Sequence, residues 1–119
     1  MKRAWLVVAL VTAVALACAV VDQAASYVAY RRLGDLRWTN TATAAELRLT
    51  AHRALGLWLG DPHDAFLVLR THGDHSSVPY LRAALAREPS GDALACTWIH
   101  GEEALARLSP PKTGETARH

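Results

Sequence analysis

Cysteine is nearly missing from this chain. Cys18 lies in an apolar run and Cys96 stands alone near the C-terminus. The part that folds therefore has no second thiol and no internal disulfide, which fits a reducing compartment or an exported domain that needs no staples. Charge of one sign is missing too: 13 Lys+Arg face 11 Asp+Glu, for a net charge of +2. Beyond residue 30 acids and bases nearly balance and interleave, so nucleic acid is not an expected partner. Arg48, Arg53, Arg70, Arg82 and Arg87 are scattered singly and read as solvated helix faces. No stretch alternates apolar and polar residues as a half-buried strand does. There is no glycine-rich phosphate loop, no HExxH, no GxSxG and no CxxC, so the best-marked phosphate, metal and hydrolase chemistries have no carrier.

What the chain does have is one long hydrophobic run. Residues 4–21 are apolar except for Thr12, with Lys2 and Arg3 before them and Asp22 after. A helix of about 20 apolar residues spans a bilayer core, and about 17 is the lower end. Trp5 at one end, with Tyr27 and Tyr30 at the other, would sit at the interfaces. The run has no polar face, so burial in a soluble core is not expected. Residues 1–30 read as a signal anchor. Two further readings stay open. Ala17-Cys18-Ala19 has the small-x-small form of a cleavage site, which would release a secreted or periplasmic domain, although the run exceeds the usual core of about 7–15 residues. Ala15-Leu16-Ala17-Cys18 is a lipoprotein-like box without the usual leucine three residues before the cysteine. Basic residues flank both ends, Lys2 and Arg3 against Arg31, Arg32 and Arg37, so the positive-inside rule does not settle orientation.

Residues 31–42 read as a polar connector holding Gly34 and Asn40. Helix signals follow. Thr43-Ala-Ala-Glu46 is a capping box, and Leu47, Ala51, Ala54, Leu55, Trp58 and Leu59 keep a helical period up to Gly60, which predicts a helix over 43–59. Asp61-Pro62 restarts a helix that Gly73 ends; the five-residue apolar run 65–69 also fits a buried strand, and the Asp-Pro start and Gly stop argue for helix. Ser76 or Ser77 caps a third, with Val78, Leu81, Ala84 and Leu85 on one face, Pro79 in its first turn and Pro89 closing it. A loop over 88–92 leads to a fourth, starting at Asp92 or at Thr97 and holding Trp98, Gly101, Leu105 and Leu108. Ser109-Pro-Pro111 stops it, and 109–119 reads as a flexible tail. Short links predict antiparallel neighbours. The Gly-Asp step before a new helix, at 60–61 and again at 73–74, is a weak internal repeat. Trp58 and Trp98 stand at core spacing and read as packing anchors.

Arg53-Ala-Leu-Gly-Leu-Trp-Leu-Gly-Asp-Pro62 resembles a helix end and turn of HEAT-like repeats of the phycobilisome-lyase type. Gly73-Asp-His-Ser-Ser-Val-Pro-Tyr-Leu-Arg-Ala-Ala-Leu85 resembles the turn and first helix of the next repeat, and Ala104-Leu105 with Leu108 the end of its second. Coverage is about residues 47–108. Gly101 departs from the pattern, standing where a larger apolar residue is usual. The resemblance implies an all-α fold: a short HEAT-like α-solenoid of about four helices over 43–108, behind the N-terminal transmembrane or signal helix. Such solenoids supply binding surface, and no lyase activity is implied because no cofactor-binding residue is matched. About two repeats fall short of the three or more that usually close a solenoid core, so a protein partner or second copy over an open end is the expectation. Its contacts are placed on the face of 62–87, at Arg70, Tyr80 and Arg82.

His63, His72, His75, Cys96 and His100 form the one set with metal-ligand character, and Cys96 with His100 could be a nucleophile–base pair. Without paired cysteines or a visible orienting carboxylate, the blander reading stands: surface histidines and a packed cysteine. Asp61 reads as a cap and Asp74 as a turn residue. No catalytic, metal or cofactor residue is assigned. The expected role is a membrane-anchored interaction or scaffold module, the alternative a small metal-binding or Cys/His-dependent enzyme.

Overall fold

The computed structural model describes residues 1–87 and 95–109. Among these the chain is all-helical. α1 covers Lys2–Leu33, α2 Leu36–Thr41, α3 Ala44–Leu55, α4 His63–His72, α5 Val78–Leu85 and α6 Ala95–Leu108, with a 3-10 turn at His75–Ser77 ahead of α5. The expected loop at 88–92, the helix start at Asp92 and the tail over 110–119 lie outside the described residues.

Local chemistry sets most helix starts. The Thr43 hydroxyl accepts the Glu46 N–H at 3.1 Å and the Glu46 carboxylate accepts the Thr43 N–H at 3.4 Å, the capping box read from the sequence. Asp61 Oδ1 accepts the His63 N–H at 3.1 Å, so Asp61 does serve the start of α4, with Pro62 at its N-cap. At the start of α5 the structure differs from the expectation. Ser77 is the N-cap residue of α5 but makes no side-chain cap bond there; Asp74 caps the preceding 3-10 turn by accepting the Ser76 N–H.

Two boundaries are corrected. The segment 31–42 is not an irregular connector. α1 runs on to Leu33, and Asp35 accepts the Arg37 and Trp38 N–H groups at 3.0 and 3.4 Å to start α2. The helix expected over 43–59 stops at Leu55 with Gly56 as its C-cap. Gln23 of α1 explains the early stop: its Nε2 donates to the Gly56 carbonyl and its Oε1 accepts the Trp58 N–H, both at 2.9 Å. Groups that a continuing helix would use internally are bound across to α1 instead. Trp58 is consequently not a core anchor; it is 69% exposed and Leu59 is 91% exposed. Trp98 is one, at 7% exposed and edge-on to Phe66 with ring centroids 5.6 Å apart.

α1 has two parts with different surroundings. Its apolar N-terminal stretch has no neighbour: Leu6, Val7, Leu10, Val11, Val14, Leu16, Val20 and Val21 are all exposed. The helix is long and apolar enough to cross a membrane or to act as a signal sequence. Its C-terminal part packs instead, burying Ser26, Ala29 and Leu33. α3 runs back along it. The Arg53–Asp22 ion pair at 2.8 Å lies at one end of the contact, and Arg32 and Leu49 share a shallow groove at the other. α4 then returns along α3.

α4 and α6 form the most extensive interface. Phe66 meets Trp98, Arg70 meets His100 and Glu103, and Arg107 donates to the Leu69 and Gly73 carbonyls at 3.1 and 3.0 Å. Partner numbers rise together, so these helices run parallel; short links make only sequential neighbours antiparallel, and α5 intervenes here. The core is Ala51, Phe66, Leu69, Leu81 and Ala104, each fully buried. Gly101 is there to admit the Phe66 ring, because a Cβ on it would lie 2.9 Å from Cε2 and Cζ of Phe66.

Candidate functional site

Side chains converge in three places. The first is the turn before α5, which α3 holds through residues one helical turn apart, Arg48 and His52. Arg48 Nε pairs with Asp74 at 3.1 Å, and its Nη1 donates to the His72 carbonyl at 3.2 Å. His52 Nε2 lies 2.6 Å from the Ser77 hydroxyl, and its ring stacks on Tyr80 at 4.2 Å between centroids. The Asp74 N–H donates to Ser77 Oγ at 3.2 Å. Ser77 Oγ, with two lone pairs and one proton, links the Asp74 N–H to the His52 ring in either tautomer. Burial pushes the His52 pKa below its ordinary value, with the Asp74 carboxylate opposing this and Arg48 reinforcing it. The Asp74 carboxyl is held below the usual carboxylate range, chiefly by the Ser76 hydroxyl.

A serine hydroxyl on a neutral imidazole has the makings of a nucleophile–base pair. Ser77, however, is 0% exposed, so no substrate atom reaches its Oγ in this conformation. The pair acts as a strut between α3 and the start of α5. Sequence reasoning missed it because His52 and Ser77 are 25 residues apart. A histidine on the apolar side of α3 and a serine ahead of Val78-Pro79 were the available signals.

The second place is the α4–α6 surface. Of the metal-like set, His63, Cys96 and His100 come together. The His63 and His100 rings meet edge-on at 5.4 Å, and Cys96 Sγ lies 3.8 Å from His100 Nε2. His72 and His75 are not part of this group. Among the described residues no three His, Cys, Asp or Glu side chains are arranged to hold a metal ion. Arg70 Nη1 lies 2.9 Å from His100 Nδ1 and 3.0 Å from Glu103. A guanidinium only donates, so Nδ1 accepts and the ring proton sits on Nε2, facing Cys96. In that tautomer the imidazole cannot take the thiol's proton.

The third is a cleft of about 300 Å³ whose lining includes Tyr30, Leu57, Trp58, Pro62, Arg87 and Trp98. Its walls are mostly apolar. The Trp98 indole N–H is buried without a hydrogen-bond partner among the described residues.

The three expected contact residues do not form one patch of equivalent side chains. Arg70 is committed to His100 and Glu103 on α6. Tyr80 is 47% exposed with one ring face against His52. Arg82 is exposed on α5. Comparison of the chain with models of known families, with characterised proteins and with solved structures finds no match.

Proposed function

We propose that this chain is a single-pass, membrane-anchored helical module that binds another protein or a second copy of itself and carries out no reaction of its own. The observation that carries the reading is the state of α1. Residues 4–21, apolar except for Thr12, present side chains on every side with none of them buried, and the same helix continues without a break into the packed unit. Water would make that surface costly, at about 25 cal/mol per Å² of apolar area, and lipid removes the cost. The Arg53–Asp22 ion pair ties the unit to α1 just past the cleavage-like Ala17-Cys18-Ala19, with no extended spacer between.

A HEAT-like arrangement over 43–108 is part of the proposal. It is supported by the antiparallel α3–α4 pair and by α4 lying parallel to α6, which is how second helices of successive hairpins stack in a solenoid. The absence of a reaction is supported by the buried Ser77 and by the His100 tautomer that faces Cys96. The binding surface is assigned to α5, where Tyr80 and Arg82 are exposed.

Two measurements test the reading. Intact mass and carbonate extraction of the membrane fraction separate an anchor from a cleaved leader; loss of the first 19 residues, or release into the soluble fraction, would overturn the anchor. A photo-crosslinking amino acid at position 80 is expected to give one discrete adduct in membranes, and Arg82→Glu is expected to abolish it. A ladder of unrelated adducts, or a band indifferent to that substitution, would count against binding through α5.

A further inference from the structure

The α3–α4 connection, residues 56–60 (Gly-Leu-Trp-Leu-Gly), is unlike the other loops among the described residues because its most apolar side chains face outward. Trp58 and Leu59 are 69% and 91% exposed, while their neighbour Leu57 is partly covered. α3 is antiparallel to the end of α1, so its C-terminus points back toward the apolar part of that helix, and this loop is the tip of the packed unit on that side.

Along α1 it lies beside Gln23, Ser26 and Tyr30, with Gly56 next to Ser26 and Gly60 next to the Tyr30 ring. Gln23 holds the loop from both sides, donating to the Gly56 carbonyl and accepting from the Trp58 N–H, each at 2.9 Å. Gln23 is two residues past the end of the apolar run, which at 1.5 Å per residue is about 3 Å along the axis. On the other flank Arg87, just past the end of α5, donates to the Leu57 carbonyl at 3.4 Å and to the Leu55 carbonyl. The backbone of Gly56 and Leu57 and the Trp58 N–H are thus held by protein groups at the start of the loop. Arg53 neutralises Asp22 at the same level through their 2.8 Å ion pair. Tryptophan with an aliphatic neighbour, a few ångströms from where a spanning helix leaves the hydrocarbon, is the composition of the bilayer interface.

We infer that the 56–60 loop is a second membrane contact, inserting Trp58 and Leu59 into the interfacial zone of the bilayer that α1 crosses. The inference rests on α1 being a spanning helix. The occupant is the lipid surface itself, because the loop sits at a fixed height on the one element that passes through it. Two points of contact, rather than one, would hold the helical unit at a set tilt.

The test uses the full chain with Cys18→Ala and Cys96→Ala, in phosphatidylcholine vesicles, carrying a nitroxide at a single cysteine. Leu59→Cys reports the loop, Val14→Cys the middle of α1 and Arg82→Cys the exposed side of α5. Collision with oxygen, which partitions into lipid, is compared with collision with a water-soluble nickel chelate. Position 14 is expected to favour oxygen strongly, position 82 nickel, and position 59 to lie between them on the oxygen side. If 59 matches 82 while 14 is in lipid, the loop contact is wrong and the anchor stands. If 59 is shielded from both reagents, a protein surface covers the loop and the inference falls. If 14 itself favours nickel, the anchor fails and takes the loop contact with it. Leu59 is almost fully exposed, so its replacement leaves folding intact.

Discussion

Replacing Gly101 with alanine would put a methyl group where the Phe66 ring already sits. A Cβ there lies 2.9 Å from Cε2 and Cζ of Phe66 and 3.0 Å from Cδ2 of Leu85, closer than carbon atoms normally approach. Leu85 is only partly buried and can shift its Cδ2, but Phe66 does not yield easily. Phe66 is fully buried, and its other contacts include the edge-on Trp98 ring at 5.6 Å. Two effects compete. Alanine is better than glycine inside a helix by about 1 kcal/mol. Overpacking a tight core costs about 1–3 kcal/mol. With Phe66 confined, strain wins, and Gly101→Ala is expected to lower stability by about 1 kcal/mol. For a small domain with a urea dependence of about 1 kcal/mol per molar, the unfolding midpoint drops by about 1 M. In a Phe66→Leu background the clash is relieved, and the same alanine should raise the midpoint relative to that background. The assay is urea unfolding of the full chain in mild detergent, followed by near-ultraviolet circular dichroism. If Gly101→Ala raises the midpoint equally in both backgrounds, Phe66 does not fill the space beside Gly101 and the α4–α6 packing described above is wrong.

Ser77→Ala leaves His52 Nε2 and the Asp74 N–H without their partner and should cost about 1–3 kcal/mol in the same unfolding assay; an unchanged midpoint would mean that the strut does not form. The burial that depresses the His52 pKa makes the folded state bind fewer protons than the unfolded one. Stability should therefore fall as pH drops below about 6.5, the ordinary histidine value, and level off once His52 itself charges. His52→Asn should flatten this part of the profile, and a variant that keeps the full slope would refute the assignment. At lower pH the depressed Asp74 carboxyl adds a further loss, because stability present above its unfolded pKa disappears as pH falls through the folded one. Among the described glycines, Gly73→Ala should be the worst tolerated, since a Cβ there strikes the Leu69 carbonyl oxygen, a backbone atom, and lies 2.9 Å from Leu108 Cδ1. A loss of about 3 kcal/mol or more is expected by circular-dichroism melting, and a neutral result would place the α4–α5 turn elsewhere.

Features governed by neighbours in the chain were legible. The Thr43–Glu46 box needs only residues three apart, and it forms as read. The glycine stop at 73 and the helix restart after Asp61-Pro62 are equally local, and so is the apolar run of 4–21. Trp98 followed from helical spacing within a single element. The candidate contact residues were legible only as exposed types: Tyr80 and Arg82 stay exposed, whereas Arg70 has a carboxylate on α6 that no local pattern points to. His52 was passed over because its partner lies 25 residues away. The connector at 31–42 was misread because its glycine and polar residues look irregular, although Asp35 is a good helix cap once the chain is seen to turn there.

Composition and short-range hydrogen bonding were enough to determine that this chain is helical, that its first third carries an uncovered apolar rod, and where most helices begin. These depend on backbone groups and side chains a few residues apart, whose meeting is built into helix geometry. Only the tertiary structure decided that α3 ends at Leu55, that Trp58 and Leu59 stay outside, that Gly101 accommodates Phe66 and that α4 lies parallel to α6. Each depends on side chains 30 or more residues apart, such as Gln23 with Gly56 and Arg70 with Glu103. Such contacts form only when packing brings whole helices together, and residue spacing along the chain carries no record of which faces will meet.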